Sequence, residues 1–416
     1  MTIYLSCALL LSLAMFFGYI NHKLVKMETT IAIFTGSLVL SGIIVLLGST
    51  PWFADIRSLF HDFLNTLDFK TILMQGMLPY LLFSGSINID IDDLKKQAMP
   101  VGVLSTISTI ASTVLIGYSM QKVLSWCGVY LDMGYCLLFG ALISPTDPIA
   151  VLGVLKNYNI PNSIRTQLAG ESLFNDGVGI VLFITMQTLL SQHNTLTFYS
   201  VVSLFVTQAL GGMAWGMILG MIMYLLLKDI NDYKLEVLVS LAVVTAGYAI
   251  AGLSQLSGPL AMVVSGIFIG NRKQLFSNTH TDRSHLTTFW ELIDEILNAI
   301  LFLLIGLEMI TIDYDASYLL ILLSIPVVLL SRYITVAIPL IFIRKWRGGL
   351  EKHLAVILTW GGLRGGLAIA LALSLPESPR RDIILALTYA VVVFSILIQG
   401  STIQYWLPKK QLATKK

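Results

Sequence analysis

Residues 134–155 read GYCLLFGALISPTDPIAVLGVL, an apolar run broken at 144–148 by Ser-Pro-Thr-Asp-Pro. A run of this length can cross a bilayer as a helix. Pro148 carries no N–H, so the carbonyl of Ser144 loses its helical donor, and Pro145 does the same to Ala141. The residues before the prolines, Ser144 and Asp147, are pushed out of helical geometry. The outcome is a short unwound stretch with bare carbonyl oxygens at membrane depth. Lipid cannot hydrogen-bond them, so such backbone persists only where it lines a cavity or a site. Carbonyl, hydroxyl and carboxylate oxygens together suit a hard cation such as Na⁺. A kink made for packing alone is the simpler account, and it has no need of the aspartate.

The rest of the 416-residue chain fits that setting, since 56% of it is hydrophobic and only 12% is charged, against roughly 25% charged in soluble domains. Apolar runs such as TIAIFTGSLVLSGIIVLLG (30–48) and IPVVLLSRYITVAIPLIFI (325–343) recur throughout. The expected fold class is an all-α polytopic membrane protein. Thirteen spans are predicted, at 3–20, 29–48, 69–87, 98–121, 134–155, 165–190, 198–227, 236–254, 257–270, 287–310, 316–343, 351–375 and 382–407. The connecting loops are short, leaving a single membrane domain over 1–416 with no soluble module. The first stretch follows an uncharged N-terminus without a clear cleavage site and reads as a retained span. No basic arm points to nucleic acid. Cys7, Cys127 and Cys136 have no metal or redox spacing. Cys7 and Cys136, within apolar runs, are expected to pack, and His280 and His285 to lie on a solvated loop.

The basic residues orient the spans. Loops after odd-numbered spans, counted with the span ends that border them and with the tail, hold nineteen of the 26 Lys and Arg; those after even-numbered spans hold five; Arg332 and Arg364 fall deep inside spans. Basic loops stay cytoplasmic, so the N-terminus is expected outside and the C-terminus inside. Thirteen spans can form two inverted six-helix repeats around a linking helix, which pairs span 5 with span 12. Span 12 is also interrupted, by GGLRGG at 361–366. Paired broken segments in two halves mark a transporter binding site at the bilayer midplane. Close helix packing through Gly361/Gly365 and Gly362/Gly366 is the competing account of the glycines.

Span 6 contains LAGESLFNDGVGIVLF at 168–183. Ser172 and Asp176 share one helix face, and Glu171 and Asn175 the adjacent one. Acids inside a membrane face an interior and mark an ion or proton path. Arg332 and Arg364 are intramembrane cations that need partners, because an unpaired buried charge is strongly penalised. Glu171 is the natural counter-ion for one of them. Glu308, in LIGLEM, is expected nearer an interface and solvated. A carboxylate shielded from water resists standing bare, and a proton or a cation relieves it. The two compete, and competition in a cavity that opens alternately to each side is exchange. The chain has no GxxxxGK[ST] phosphate loop, so an ion gradient must supply the energy.

With ISPTDPIAV (143–151), GESLFNDGVGIVLF (170–183) and TWGGLRGGLAIALALSLP (359–376) in order, and LPYLLFSGSINID (78–90) as a weaker match, the chain resembles the monovalent cation/proton antiporter superfamily. Within it, the likeness is to prokaryotic sodium/proton antiporters related to the animal sodium/proton exchangers, over nearly the whole length. The resemblance implies Asp176 as the exchanged carboxylate. Na⁺ would be held by the Thr146 carbonyl, Asp147, directly or through water, the Ser172 hydroxyl and Asp176. The Asn175–Asp176 pair is of the electroneutral type and implies one cation per proton. Glu171 would pair with Arg332, and Arg364 would neutralise the crossing of spans 5 and 12. The resemblance also implies a homodimer, with spans 1–3 and 8–10 as dimer scaffold and span 7 as linker. Spans 4–6 and 11–13 would form a moving ion-binding core. Ser84 stands where many relatives carry a glutamate that helps control ion access.

The expected activity is therefore electroneutral Na⁺(Li⁺)/H⁺ antiport in a bacterial inner membrane, with no cofactor. Its partners are the monovalent cation, the proton and the bilayer. K⁺/H⁺ exchange is the near alternative, because the same oxygens could hold K⁺. A cation channel or transport-like sensor is a remoter one, since channels use rings of groups around an open pore. An enzyme fits least. Gly170-Glu171-Ser172 lacks the glycine of a GxSxG turn, Phe174 occupying its place, and no intramembrane histidine is evident as base.

Overall fold

Long apolar runs without water to compete for their backbone groups close their hydrogen bonds within each segment, as helix. A computed structural model describes residues 3–48, 67–155, 161–191, 198–230, 232–271, 284–310, 318–347 and 354–406, with Phe60, Phe63, Leu64 and Tyr158. Its principal helices are α1 (Ile3–Ile20), α2 (Thr29–Gly48), α3 (Leu78–Ile87), α4 (Thr109–Trp126), α5 (Met133–Ile143), α6 (Ile149–Leu155), α7 (Asn162–Ser191) and α8 (Phe198–Leu227). They continue with α9 (Tyr233–Leu253), α10 (Gly258–Gly270), α11 (Ser284–Leu307), α12 (Tyr318–Arg347), α13 (Leu354–Trp360), α14 (Gly366–Leu373) and α15 (Pro379–Phe394). Among the described residues, eight helical runs are long and apolar enough to cross a membrane, and α5 and α10 are shorter apolar helices. The chain is a multi-pass, all-helical membrane protein.

Several helices change pitch where the sequence obliges them. Ile72–Met77 is a π-helical stretch that ends two residues before Pro79, which cannot donate back along the helix. Ser395–Gln399 is another, continuing α15. The run at 134–155 is split into α5 and α6 around the two prolines, and that at 351–375 into α13 and α14 around the glycines.

The helices pack in two groups. In one, α10 lies against α8, α9 and α3, while α11 lies against α2 and α3. In the other, α4 packs on α5 and α12, α7 on α5, and α14 on α15. The outer surface is apolar, with Leu225, Leu330 and Phe342 exposed, whereas Ser37, Ser41, Thr113 and Asn175 are buried. In a bilayer this polarity is expected, because polar groups find partners only inside. Close approach depends on small residues: the Ser41 hydroxyl donates to the Gly306 carbonyl at 2.8 Å.

Two expectations are corrected. Glu308 is buried, at 6% exposure, because Leu307–Ile310 is enclosed by neighbouring helices. Cys7 is exposed, on a face of α1 turned away from the other helices, while Cys136 is buried as expected. His280 and the basic residues Arg57, Lys156, Arg272, Lys273, Arg283, Lys352, Lys409, Lys410, Lys415 and Lys416 lie outside the described residues.

A methyl group on Gly140 of α5 would stand 2.2 Å from the Thr113 carbonyl oxygen of α4. Gly140→Ala is therefore expected to destabilise the protein by about 1–3 kcal/mol. Gly102→Ala, with nothing within 4 Å of the added group, should melt as wild type in a detergent unfolding assay.

Candidate functional site

The two interrupted helices meet at their breaks. The Asp147 N–H donates to the Leu363 carbonyl at 2.8 Å, forming an isolated antiparallel bridge. Arg364, only 3% exposed, turns its guanidinium to the other strand of the crossing. Its Nη1 donates to the carbonyl oxygens of Ser144 at 2.5 Å and Pro145 at 2.7 Å. The Ser144 oxygen freed by Pro148 thus serves the crossing. Glycines permit this approach: a side chain on Gly365 would stand 2.5 Å from Asp147 Oδ2, and one on Gly362 would stand 2.9 Å from the Thr146 methyl.

Behind the crossing, α7 holds Thr146 by side chains. Asn175 Oδ1 accepts from the Thr146 N–H at 3.2 Å, and Asn175 Nδ2 donates to Thr146 Oγ1 at 2.9 Å. Thr146 Oγ1 and Ser172 Oγ are hydrogen-bonded at 3.0 Å. All three side chains are buried. The i, i+3 placement of Ser172 and Asn175 on α7 is what brings both to one threonine.

Glu171 and Arg332 form a fully buried ion pair between α7 and α12, Arg332 Nη2 donating to Glu171 Oε1. Arg332 Nη2 is also 3.3 Å from the position a Gly362 side chain would take, so the pair sits under the crossing. Asp147 and Asp176 differ from Thr146, Glu171, Ser172 and Asn175 in being half-buried. Both line a cavity of about 620 Å³ that extends to Met27–Thr30 and Asn88. Asp147 Oδ1 accepts from the Ile149 N–H at 2.9 Å, at the start of α6. Thr146, Ser172 and Asn175 are not among the residues lining the cavity.

Sequence reasoning missed the support behind the second break. Ser395 Oγ accepts from the Arg364 N–H at 2.9 Å and donates to Gln399 Oε1 at 2.7 Å. Gln399 Nε2 in turn donates to the Trp360 carbonyl at 3.2 Å. Two polar residues four apart within an apolar run were the available signal. It also missed Asp294 of α11, which accepts from Ser84 at 2.7 Å and lines the same cavity.

Discontinuous helices meeting beside a carboxylate-lined cavity are the architecture of membrane transporters. The chain belongs to the sodium/hydrogen exchanger family: the model described as "Sodium/hydrogen exchanger, transmembrane" matches residues 9–409. It is 40% identical to the Na⁺/H⁺ antiporter NhaP of Pseudomonas aeruginosa over 400 residues, covering 95% of this chain and 94% of that one. It is 32% identical to the Na⁺/H⁺ antiporter NhaH of Halobacillus dabanensis, covering 92% of each. The fold is that of the sodium proton antiporter MjNhaP1 from Methanocaldococcus jannaschii, solved at pH 8, with a TM-score of 0.73 over 97% of both chains at 18% identity.

Removing one member of a buried ion pair strands the other's charge, at about 3–5 kcal/mol. Arg332→Ala is accordingly expected to lower the melting temperature sharply in detergent. The double variant Arg332→Met/Glu171→Met should recover much of that loss; a double variant no more stable than the single one would show that a stranded Glu171 charge is not the cause of it.

Proposed function

We propose that this chain is an electroneutral Na⁺(Li⁺)/H⁺ antiporter of a bacterial inner membrane, exchanging one cation for one proton by alternating access. The observation that carries the reading is the convergence of Asp147 and Asp176 on one cavity, beside the crossing of the two interrupted helices. Asp176 is the exchanged carboxylate. Asp147 and the Ser172 hydroxyl complete the Na⁺ site with the Thr146 carbonyl. Asn175, whose amide is engaged at both ends by Thr146, is a strut and carries no proton. Glu171 and Arg332 brace α7, and Arg364 neutralises the crossing.

Burial supports competition between the two ions. Arg332 is paired with Glu171, and Arg364 is engaged by the carbonyls of the crossing. A carboxylate short of water is relieved by a proton or by a monovalent cation, and either occupant disfavours the other. Competition at Asp176 is therefore enough to couple the two fluxes.

The same reading takes the chain as thirteen crossings in two inverted six-helix repeats. The antiparallel bridge between interrupted segments seven spans apart supports it, and the excess of basic residues in the loops after odd-numbered spans supports an N-terminus outside and a C-terminus in the cytoplasm. Spans 4–6 and 11–13 act as the moving core, spans 1–3 and 8–10 as the scaffold of a homodimer, and span 7 as linker. The packing of α4, α5, α7, α12, α14 and α15 among themselves supports this division. The antiporters to which the chain is similar support Na⁺ as the cation.

Everted vesicles loaded with a pH-sensitive dye should respond to Na⁺ and Li⁺; a response to K⁺ alone would make this a K⁺/H⁺ antiporter. Collapsing the membrane potential should leave the rate nearly unchanged, and strong potential dependence would sink the one-for-one ratio. Asp176→Asn should fold and insert normally yet exchange nothing above background. Ser172→Ala should raise the apparent KM for Na⁺ more than it lowers the maximal rate, and Thr146→Ala should be milder than Asp176→Asn.

A further inference from the structure

The cavity that reaches Asp147 and Asp176 has a second polar group on its wall, which exchange at Asp176 does not require. Asp294 and Asn298 stand one turn apart on α11 and both line it. Their i, i+4 spacing puts the carboxylate and the carboxamide on one face. From α3, the buried Ser84 donates its hydroxyl to Asp294 Oδ1 at 2.7 Å, which fixes the carboxylate against the cavity wall. Asn298 is 1% exposed, and among the described residues neither its Oδ1 nor its Nδ2 has a hydrogen-bond partner. A buried side-chain amide with both ends bare is an exception in a folded protein and asks for a ligand.

The chemistry of the group narrows that ligand. It presents a carboxylate and an amide oxygen to the cavity, with no imidazole or thiolate of the kind transition metals prefer. Oxygen sets of this kind suit hard cations. Asp294 brings a negative charge to a cavity that Glu28 and Glu295 also line, which favours a cation; the exchange reading makes that cation monovalent. Asp294 and Asp147 line the same cavity, so an ion held at the first lies on the way to the second.

We propose that Asp294, Asn298 and Ser84 form a second monovalent-cation site in the access cavity, where an alkali ion exchanges part of its hydration before it reaches Asp147 and Asp176. The Asn298 oxygen replaces one water of the hydrated ion, and Ser84 keeps the Asp294 carboxylate turned to receive it. The site raises the local cation concentration beside the exchanged carboxylate, so its effect falls on apparent affinity. This proposal rests on the exchange reading for its role, but not for its existence as a binding site.

The test is equilibrium binding of radioactive Na⁺ to the purified full-length protein, together with flux in proteoliposomes. Asp176→Asn should keep a weaker Na⁺ site, and Asp176→Asn/Asp294→Asn should lose it to background. If Asp176→Asn binds no Na⁺, or the double variant binds as Asp176→Asn does, the second site does not exist. Wild-type protein that binds Na⁺ in this pattern but exchanges none would overturn the transport reading alone. In flux, Asp294→Asn should raise the apparent KM for Na⁺ about tenfold, the scale of one lost charge-assisted contact, with a smaller fall in maximal rate. Glu291→Gln, on an exposed part of α11, should keep the wild-type KM. Should Asp294→Asn fail to fold, Ser84→Ala, which keeps the carboxylate and removes its donor, must raise KM; a wild-type KM in that variant overturns the assignment.

Discussion

The guanidinium of Arg364 resting on the Ser144 and Pro145 carbonyls is the contact on which the rest of the site depends. Two prolines strip those oxygens of helical donors, and lipid offers none in return. A neutral donor could have satisfied them. A cation also offsets the carboxylates gathered nearby, so one side chain answers both a hydrogen-bond deficit and a charge deficit. The same break that creates the deficit turns Asp147 toward the cavity. Unwound backbone, arginine and carboxylate are thus a single physical arrangement.

Holding a charged crossing inside a membrane requires its surroundings to be rigid. Gly362 and Gly365 let the second break come within contact distance of Thr146 and Asp147. Ser395 and Gln399 satisfy the Arg364 N–H and the Trp360 carbonyl from a π-helical stretch that turns both side chains inward. On the other side, Asn175 and Ser172 grip Thr146, and the Glu171–Arg332 pair ties α7 to α12. What stays accessible is the pair of half-buried carboxylates. Rigidity around an open acid suits a group that must change its occupant without changing its place.

Similarity to MjNhaP1 at 18% identity establishes the fold and nothing of the chemistry, since function resides in sites carried by a fold. The chemistry rests on this chain's own residues. The Ser84–Asp294 bond is an instance: α3 contributes a hydroxyl and α11 the acid, and the cavity acquires a further carboxylate from the second helix.

Much was legible from the sequence. Apolar runs separated by short polar loops dictate a helical membrane protein, because only segments that satisfy their own backbone can lie in lipid. SPTDP and GGLRGG show where helix must fail, since proline and glycine act locally. The polar residues of 170–176 mark themselves by the penalty of placing them in a membrane. Partnership was not legible. Glu171 could have met either arginine, the fate of the Ser144 oxygen was open, and Glu308 was misjudged as solvated. These depend on how helices distant in sequence rotate and cross, which no local pattern encodes. Sequence by itself determined which groups must be sheltered; the tertiary structure alone decided what shelters each, because shelter in a membrane is supplied by neighbours.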